Sequence, residues 1–429
     1  MFILKLVIPA NAGIHLGPVH MDSRLRGNDE RASKPGFRMR TRYKAAASIV
    51  PFSRSLEATV RSHLAAILLL AALTRPAAAQ TTGVNHARLA NAVVNQSLKL
   101  EKGERVVLFW DPAGDRGMAA ALRTAIARAG GTVAEIEASA QVADVRLDSA
   151  GRALRDSTWA AIFDKAQAAI WLPTPATGVG NRPFEHLVES SRVRGIHFHW
   201  FLPPDTADIP RIEAMYAAAI LVPPARILAR IRRVERAVRG ATIHITAPNG
   251  TDLTFEIPND AWIHRNSGDA SKPKTADARS VRDREEELPA SVLRTTDLRN
   301  ARGTMVGYTT FDTRGPLLKV TFDKGRATTV TSIKGAEAVV TRWLAATGDK
   351  DIPAEFVIGT NPVLAAVLPS GFMPYYGYGA GVVRVAIGDN WESGGTNRAS
   401  IGEVLLFLPG ATVTASGVTV VKNGVLALR

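Results

Sequence analysis

The 429-residue chain contains no cysteine. That excludes disulfides, thiolate metal sites, a thiol nucleophile and a lipid anchor built on cysteine. Long apolar stretches are scarce too. The run from Leu64 to Leu73 rises only about 15 Å as a helix, half of the roughly 30 Å hydrocarbon core of a bilayer, so it is not expected to span one. No Gly-x-Gly-x-x-Gly fingerprint, Walker loop or Gly-x-Ser-x-Gly elbow occurs, which leaves nucleotide-binding and serine-hydrolase readings without support. No Arg-rich stripe is interleaved with aromatic residues, so nucleic acid is not an expected partner.

What is present is a basic start and a more balanced remainder. Of 53 Lys and Arg and 39 Asp and Glu, residues 1–79 hold 12 and 4, so residues 80–429 carry +6 of the net +14. The apolar run follows Arg61 and leads into Ala77-Ala78-Ala79-Gln80, the order of a secretory leader cleaved after Ala79. Residues 1–38 have no periodicity, whereas Met39 opens a basic segment and reads as the start of the leader region, 39–79. The expectation is an exported protein, periplasmic or secreted, with no membrane attachment after cleavage.

With 46% apolar residues the rest can bury two ordinary cores. Over residues 80–239, helical spacing alternates with short apolar runs: 85–100 helical, 105–110 strand, 117–129 helical, then strands at 132–136, 168–172 and 195–200, and a long helix at 223–239. This predicts an α/β domain with a largely parallel sheet. Over 240–429 the pattern changes. Strands at 241–247 and 251–257 flank Pro248-Asn249-Gly250, a hairpin signal, and further strands follow at 303–310, 317–322, 326–333, 382–387, 404–408 and 412–421. Asn423-Gly424 turns the chain toward 425–428, and one helix, 336–347, interrupts. An antiparallel-rich α+β domain is expected, with residues 266–287 as a solvated loop.

Two motifs in the second half resemble the aminopeptidase T type of metallopeptidase, often described as leucyl aminopeptidases and of M29 kind. One is Ala354-Glu-Phe-Val-Ile-Gly-Thr-Asn-Pro362. The other is Val383-Arg-Val-Ala-Ile-Gly-Asp-Asn390, continuing through Gly394-Gly-Thr-Asn397 to Ser400-Ile-Gly-Glu-Val404. Leu288-Pro-Ala-Ser-Val-Leu293 and the opening around Ser97-Leu-Lys-Leu100 match more loosely. The resemblance implies a hydrolase with two divalent cations, zinc, cobalt or manganese, and a homodimer around an enclosed cavity. Carried over residue by residue, it places the five ligands at Val292, Glu355, Arg384, Gly402 and Val404, so only Glu355 keeps a ligating side chain. The same fold resembles the ring-cleaving dihydroxypyridine dioxygenases, whose His, His and Asp iron ligands would fall on Arg384, Gly402 and Val404.

The residues therefore favour no metal cofactor and an ion pair of Glu355 with Arg384 where a cation would sit, either closing the site or gripping a ligand carboxylate. Asp389, Asn390, Asn361, Asn397 and Glu403 complete the candidate pocket, Glu403 lying on the opposite strand face from Gly402 and Val404. The Gly359 and Gly394-Gly395 turns either admit a ligand's backbone or are turn chemistry alone. The segment Phe372 to Tyr378 is either a lid or an ordinary packed loop. Asp389, Glu392 and Glu285-Glu286-Glu287 are nearby acids, the run reading as a solvated loop; His197 with His199 read as core-edge imidazoles, and His186, His244 and His264 as structural or exposed. Trp110, Asp111 and Asp115 stand at a strand end where open α/β sheets often bind ligands. Two functions remain: an exported aminopeptidase with a rebuilt metal site, or a non-catalytic binder of a peptide or small carboxylate.

Overall fold

A computed structural model describes residues 84–112, 114–137, 165–172, 193–198, 206–278 and 280–428. Helix α1, His86–Ala92, is capped by the Asn85 side chain and runs on as a wider turn to Ser97. Strand β1, Arg105–Trp110, is buried along its middle, as a sheet-centre run of Val-Val-Leu-Phe requires. Asp115 caps α2, Arg116–Arg128, by accepting from Met118 N, and pairs with His86 at 2.9 Å. Asp115 thereby serves the helix start, and Asp111 beside it is buried. Parallel strands β2, Thr132–Glu137, β3, Ala168–Leu172, and β4, Arg194–Phe198, join β1 in the order β2-β1-β3-β4. The helices expected before β3 and β4, and His186 and His199, lie outside the described residues.

Helices α3, Ile209–Ile220, and α4, Pro224–Val238, lead to the antiparallel half. Among the described residues no single helix is long and apolar enough to cross a membrane. Strands β5, Thr242–Ala247, and β6, Thr251–Glu256, form the hairpin read from Pro248-Asn249-Gly250, with Gly250 at φ +97. Strand β7, His264–Asn266, comes next, and then β8, Glu285–Leu288, which pairs parallel with β4 as the fifth strand of the first sheet. The chain passes from there into β9, Val292–Thr295, of the second sheet.

That sheet continues with β10, Arg299–Tyr308, β11, Leu317–Asp323, β12, Arg326–Lys334, and, after helix α5, Glu337–Ala345, with β13, Pro353–Gly359, β14, Val383–Gly388, and β15, Glu403–Phe407. The single strand expected over 412–421 is two, β16, Thr412–Ala415, and β17, Val418–Lys422. Ser416 and Gly417 both take positive φ, and the chain reverses there. A short β18, Val425–Leu426, closes the series. The sheet order is β18-β17-β16-β5-β6-β10-β15-β14-β13-β9-β7, with β11 beside β10 and β12 beside β11. The molecule thus joins a parallel sheet with helices to a large antiparallel sheet.

Residues 266–287 depart most from expectation. They are not a solvated loop: they hold two single-turn helices, and Asn266, Ser267, Ser271, Arg282 and all three of Glu285, Glu286 and Glu287 are buried. The composition is polar, but the buried charges of Arg282, Glu285, Glu286 and Glu287 each find a partner.

Candidate functional site

Antiparallel pairing decides which side chains meet, because directly opposed residues share a face. Val292 opposes Gly359, and Arg294 opposes Val357. Val357 opposes Arg384, Glu355 opposes Ala386, and on the far side Arg384 opposes Phe407 and Gly388 opposes Glu403. One face of β9, β13, β14 and β15 therefore carries Val292, Arg294, Glu355, Val357, Arg384, Glu403 and Phe407. The other carries Leu293, Phe356, Ile358, Val383, Val385, Ile387, Val404 and Leu406, all in the main apolar core.

The first face is charged and dry. Arg384 Nε donates to Glu355 Oε1 at 3.0 Å, and a terminal nitrogen of Arg384 donates to the same oxygen. On the other oxygen, Oε2, Arg294 Nε lies 3.0 Å away and Ser393 Oγ donates at 3.2 Å. Burial alone would raise the Glu355 carboxyl, but the Arg384 and then the Arg294 guanidinium hold it below the ordinary carboxylate range. Arg384 and Glu355 are 4% and 1% exposed, so each depends on the other for its charge to be tolerated.

The network extends to the first sheet through residues that strand and loop patterns did not mark. Arg294 Nη2 donates to Tyr378 Oη at 2.9 Å and lies 3.4 Å from Glu287 Oε2, which also accepts from the Tyr378 hydroxyl and from Asn266 Nδ2. Arg282 Nη1 reaches Glu287 at 3.2 Å and Glu285 at 3.4 Å, and its Nη2 reaches Glu392 at 2.5 Å. Glu285 Oε1 lies 2.5 Å from His197 Nδ1, whose ring is 4.0 Å from that of Trp171 and tilted 38° to it. Burial, only partly offset by Glu287, holds His197 well below the ordinary imidazole range. Glu285, Arg282, Glu287, Arg294, Glu355 and Arg384 alternate in charge from β4 to β14, with Glu392 branching from Arg282.

Glu286 points the other way, accepting from Gly268 N at 2.6 Å and from Lys274; burial raises its carboxyl to about 7 against the pull of Lys274. A Glu-Glu-Glu sequence matches a solvated loop, and only its tertiary partners reveal that the run is buried. A signal for Arg294 did exist: it is the lone charge in the Val292–Thr295 strand.

Of the substituted ligand positions, Val292 and Arg384 lie on the charged face. Val292 is packed with Val357, Tyr375 and Tyr378. Gly402 is a turn residue at φ +79, and Val404 points into the apolar core, so the pocket-facing residue of that segment is Glu403. Glu403 keeps its own surface exposed, yet crowding by the surrounding walls and then the Glu355 charge push its carboxyl well up, while Arg384 pulls it down.

The amide residues of the expected pocket act as scaffold. Asn361 donates to Ala290 O at 2.6 Å and accepts from Val363 N and Leu364 N. Asn390 donates to Ala354 O, Asn397 donates to Pro353 O and Gly388 O, and Asp389 accepts from Trp391 N and Ala399 N. A Cβ on Gly359 would lie 2.3 Å from Gly379 O, and one on Gly395 would strike the Asn390 side chain. The chain itself occupies the space these glycines leave. His244 pairs with Asp252 at the surface, and buried His264 stacks on Trp262.

The aromatic segment covers one end of the network. Tyr375 and Tyr378 are buried, and Tyr376 is half-buried at φ 51, ψ 24. Tyr376 meets Phe311 edge to face at 4.5 Å, and Phe311 in turn meets Phe407 at 5.3 Å.

The donor set does not fit a di-metal centre. The surviving carboxylate already serves two guanidiniums, which have no lone pair to give a cation, and among the described residues no three His, Asp or Glu side chains are grouped to hold a metal ion.

No family model and no curated protein matches the sequence. Solved structures do match in fold. AmpT from Thermus thermophilus superposes with a TM-score of 0.57 at 17% identity, over 80% of this chain and 99% of that one. The 2,5-dihydroxypyridine dioxygenase from Pseudomonas putida KT2440 superposes with a TM-score of 0.53 at 13% identity, over 80% and 97%. The chain has the peptidase-like fold that these proteins share.

Proposed function

We propose that this chain is an exported protein of aminopeptidase T-like fold that binds a peptide or small carboxylate at the Glu355–Arg384 face without hydrolysing it. The observation that carries this reading is the convergence of Arg384 and Arg294 on the two oxygens of Glu355. Guanidinium nitrogens take the place at which a peptidase of the implied kind would need cations, and they cannot generate hydroxide. They are suited to a carboxylate instead. Arg294 Nη1 is buried without a hydrogen-bond partner among the described residues, and only Nε and one terminal nitrogen of Arg384 are committed to Glu355. Donors are thus left over. Export rests on the leader-like order of residues 61–80, and mass measurement of exported protein beginning at Gln80 would test it.

The deciding experiment measures turnover of a leucyl-aminocoumarin substrate with cobalt, zinc or manganese added, alongside elemental analysis and calorimetric titration with leucine and acetate. The expected result is no turnover, less than one metal per chain, and carboxylate binding lost in Arg384→Met. Two metal equivalents with turnover in the wild type would instead establish the exported aminopeptidase.

A further inference from the structure

Helix α4, Pro224–Val238, buries Ile227, Ile231, Val234 and Val238 in the main apolar core, and this fixes which face it shows to solvent. That face is dominated by arginine. Successive helical residues turn by about 100°, so exposed Arg226, Arg232 and Arg236 and half-buried Arg233 fall within about 120° of arc, with exposed Ala225 and Ala229 among them. The ridge from Arg226 to Arg236 is about 15 Å long.

The protein's own acids leave this charge standing. Glu235, the one carboxylate on α4, is taken by Arg239 at 2.8 Å and Arg265 at 2.5 Å. Among the described residues, no carboxylate lies within salt-bridge distance of Arg226, Arg232, Arg233 or Arg236. Arg230 beside them donates from Nε to Thr360 O at 3.0 Å, and burial, then the Arg233 and Arg226 charges, lower its pKa. Guanidiniums this close repel one another, and an external array of anions relieves that repulsion.

We infer that this ridge docks the protein on an anionic phospholipid bilayer, with α4 lying flat and its arginines among the lipid phosphates. The inference is independent of the carboxylate-site reading. It departs from the sequence expectation of no membrane attachment only by adding peripheral, reversible contact, since α4 does not span. Charge complementarity and shape carry it. A convex helix face cannot enclose a small anion, whereas a plane of phosphates meets the whole ridge at once. A nucleic acid strand would call for aromatic platforms, and the ridge has none. The residues between the arginines are alanines, which neither stack nor hydrogen-bond through their side chains and which a headgroup layer accommodates.

The test is co-sedimentation of the full chain with vesicles of phosphatidylcholine alone and with vesicles of equal parts phosphatidylcholine and phosphatidylglycerol. Three proteins are compared: wild type, a ridge variant with Arg226→Gln, Arg232→Gln and Arg236→Gln, and a charge-matched variant with Arg128→Gln, Arg302→Gln and Arg342→Gln at exposed positions elsewhere. All three keep the basic residues 1–79, so the comparison cancels their contribution. Wild type should bind only the vesicles containing phosphatidylglycerol, and added salt should release it. Each arginine near an anionic surface is worth about fivefold, so the ridge variant should bind about 100-fold more weakly. The charge-matched variant should stay within about fivefold of wild type. A variant with Arg→Lys at the same three ridge positions should retain binding, which separates lost charge from a disturbed helix. Equal weakening in the ridge and charge-matched variants would assign binding to overall basicity and overturn the inference. So would absence of wild-type binding to either vesicle, or capture by soluble polyphosphate without sedimentation on vesicles.

Discussion

The same four strands, β9, β13, β14 and β15, carry two opposite solutions on their two faces. One face packs Leu293, Phe356, Ile358, Val383, Val385, Ile387, Val404 and Leu406 into the main core, with Phe356 edge to face on Phe255 at 5.1 Å. The other packs Arg294, Glu355 and Arg384, equally dry, and is tolerable only because each charge meets an opposite one. A hydrocarbon face tolerates small errors of fit, since each lost contact costs a little. A buried ionic face does not, because removing one member leaves another uncompensated.

The sharpest way to break this comparison is to move a charge across it. Val404→Asp restores the carboxylate that the family resemblance places at position 404, but on the core face it has no partner. It should cost about 4 kcal/mol or more and create no metal site. Glu403→Gln, one residue away on the exposed side, should change stability by no more than about 0.5 kcal/mol. Denaturant unfolding of both proteins measures the contrast. Equal effects would mean the register at β15 is wrong.

That pair also explains what could be read from sequence. The alternation of strands and helices, the Asn249-Gly250 hairpin and the Glu355–Arg384 pair follow from local pattern and from residue chemistry at aligned positions. Which face Val404 occupies follows from register, and register is fixed by the neighbouring strand rather than by the segment itself. The burial of Glu285, Glu286 and Glu287 was hidden for a related reason. Their partners, His197, Lys274, Arg282, Arg294 and Tyr378, are spread over some 180 positions of the chain, and β8 looks like a strand only once β4 is beside it. Polar composition argues for solvent unless the partners are known.

A second prediction sharpens the comparison on the charged face. Arg384→Met keeps much of the volume but leaves Glu355 to Arg294 and Ser393, and it should cost about 3 kcal/mol, the low end for breaking a buried pair since one guanidinium remains. Adding Glu355→Gln should cost much less in the Arg384→Met background than in wild type. A double-mutant cycle should thus show a coupling of about 1–3 kcal/mol. Additive effects would show that the two side chains do not depend on each other.

A third prediction concerns Glu286, the one member of the glutamate run that turns away from the arginine network. Its carboxyl is raised from 4.5 to about 7, so between those values the folded protein holds a proton that the unfolded chain has released. Its contribution to stability is therefore full below pH 4.5 and is lost as pH rises through 7. Buried His264 works in the opposite sense. Its pKa falls from 6.5 to about 4, so its contribution is present above pH 6.5 and lost as pH falls through 4. In wild-type protein the two slopes oppose each other across most of this window. Glu286→Gln still accepts from Gly268 N and removes only the first slope. Relative to wild type, the variant should gain stability on the order of 2–3 kcal/mol as pH rises from 4.5 to 7, from the size of the Glu286 shift. Parallel stability curves for the two proteins would mean that Lys274 keeps Glu286 ionised throughout. In that case the whole glutamate run, and not two thirds of it, would be held as charge by its partners.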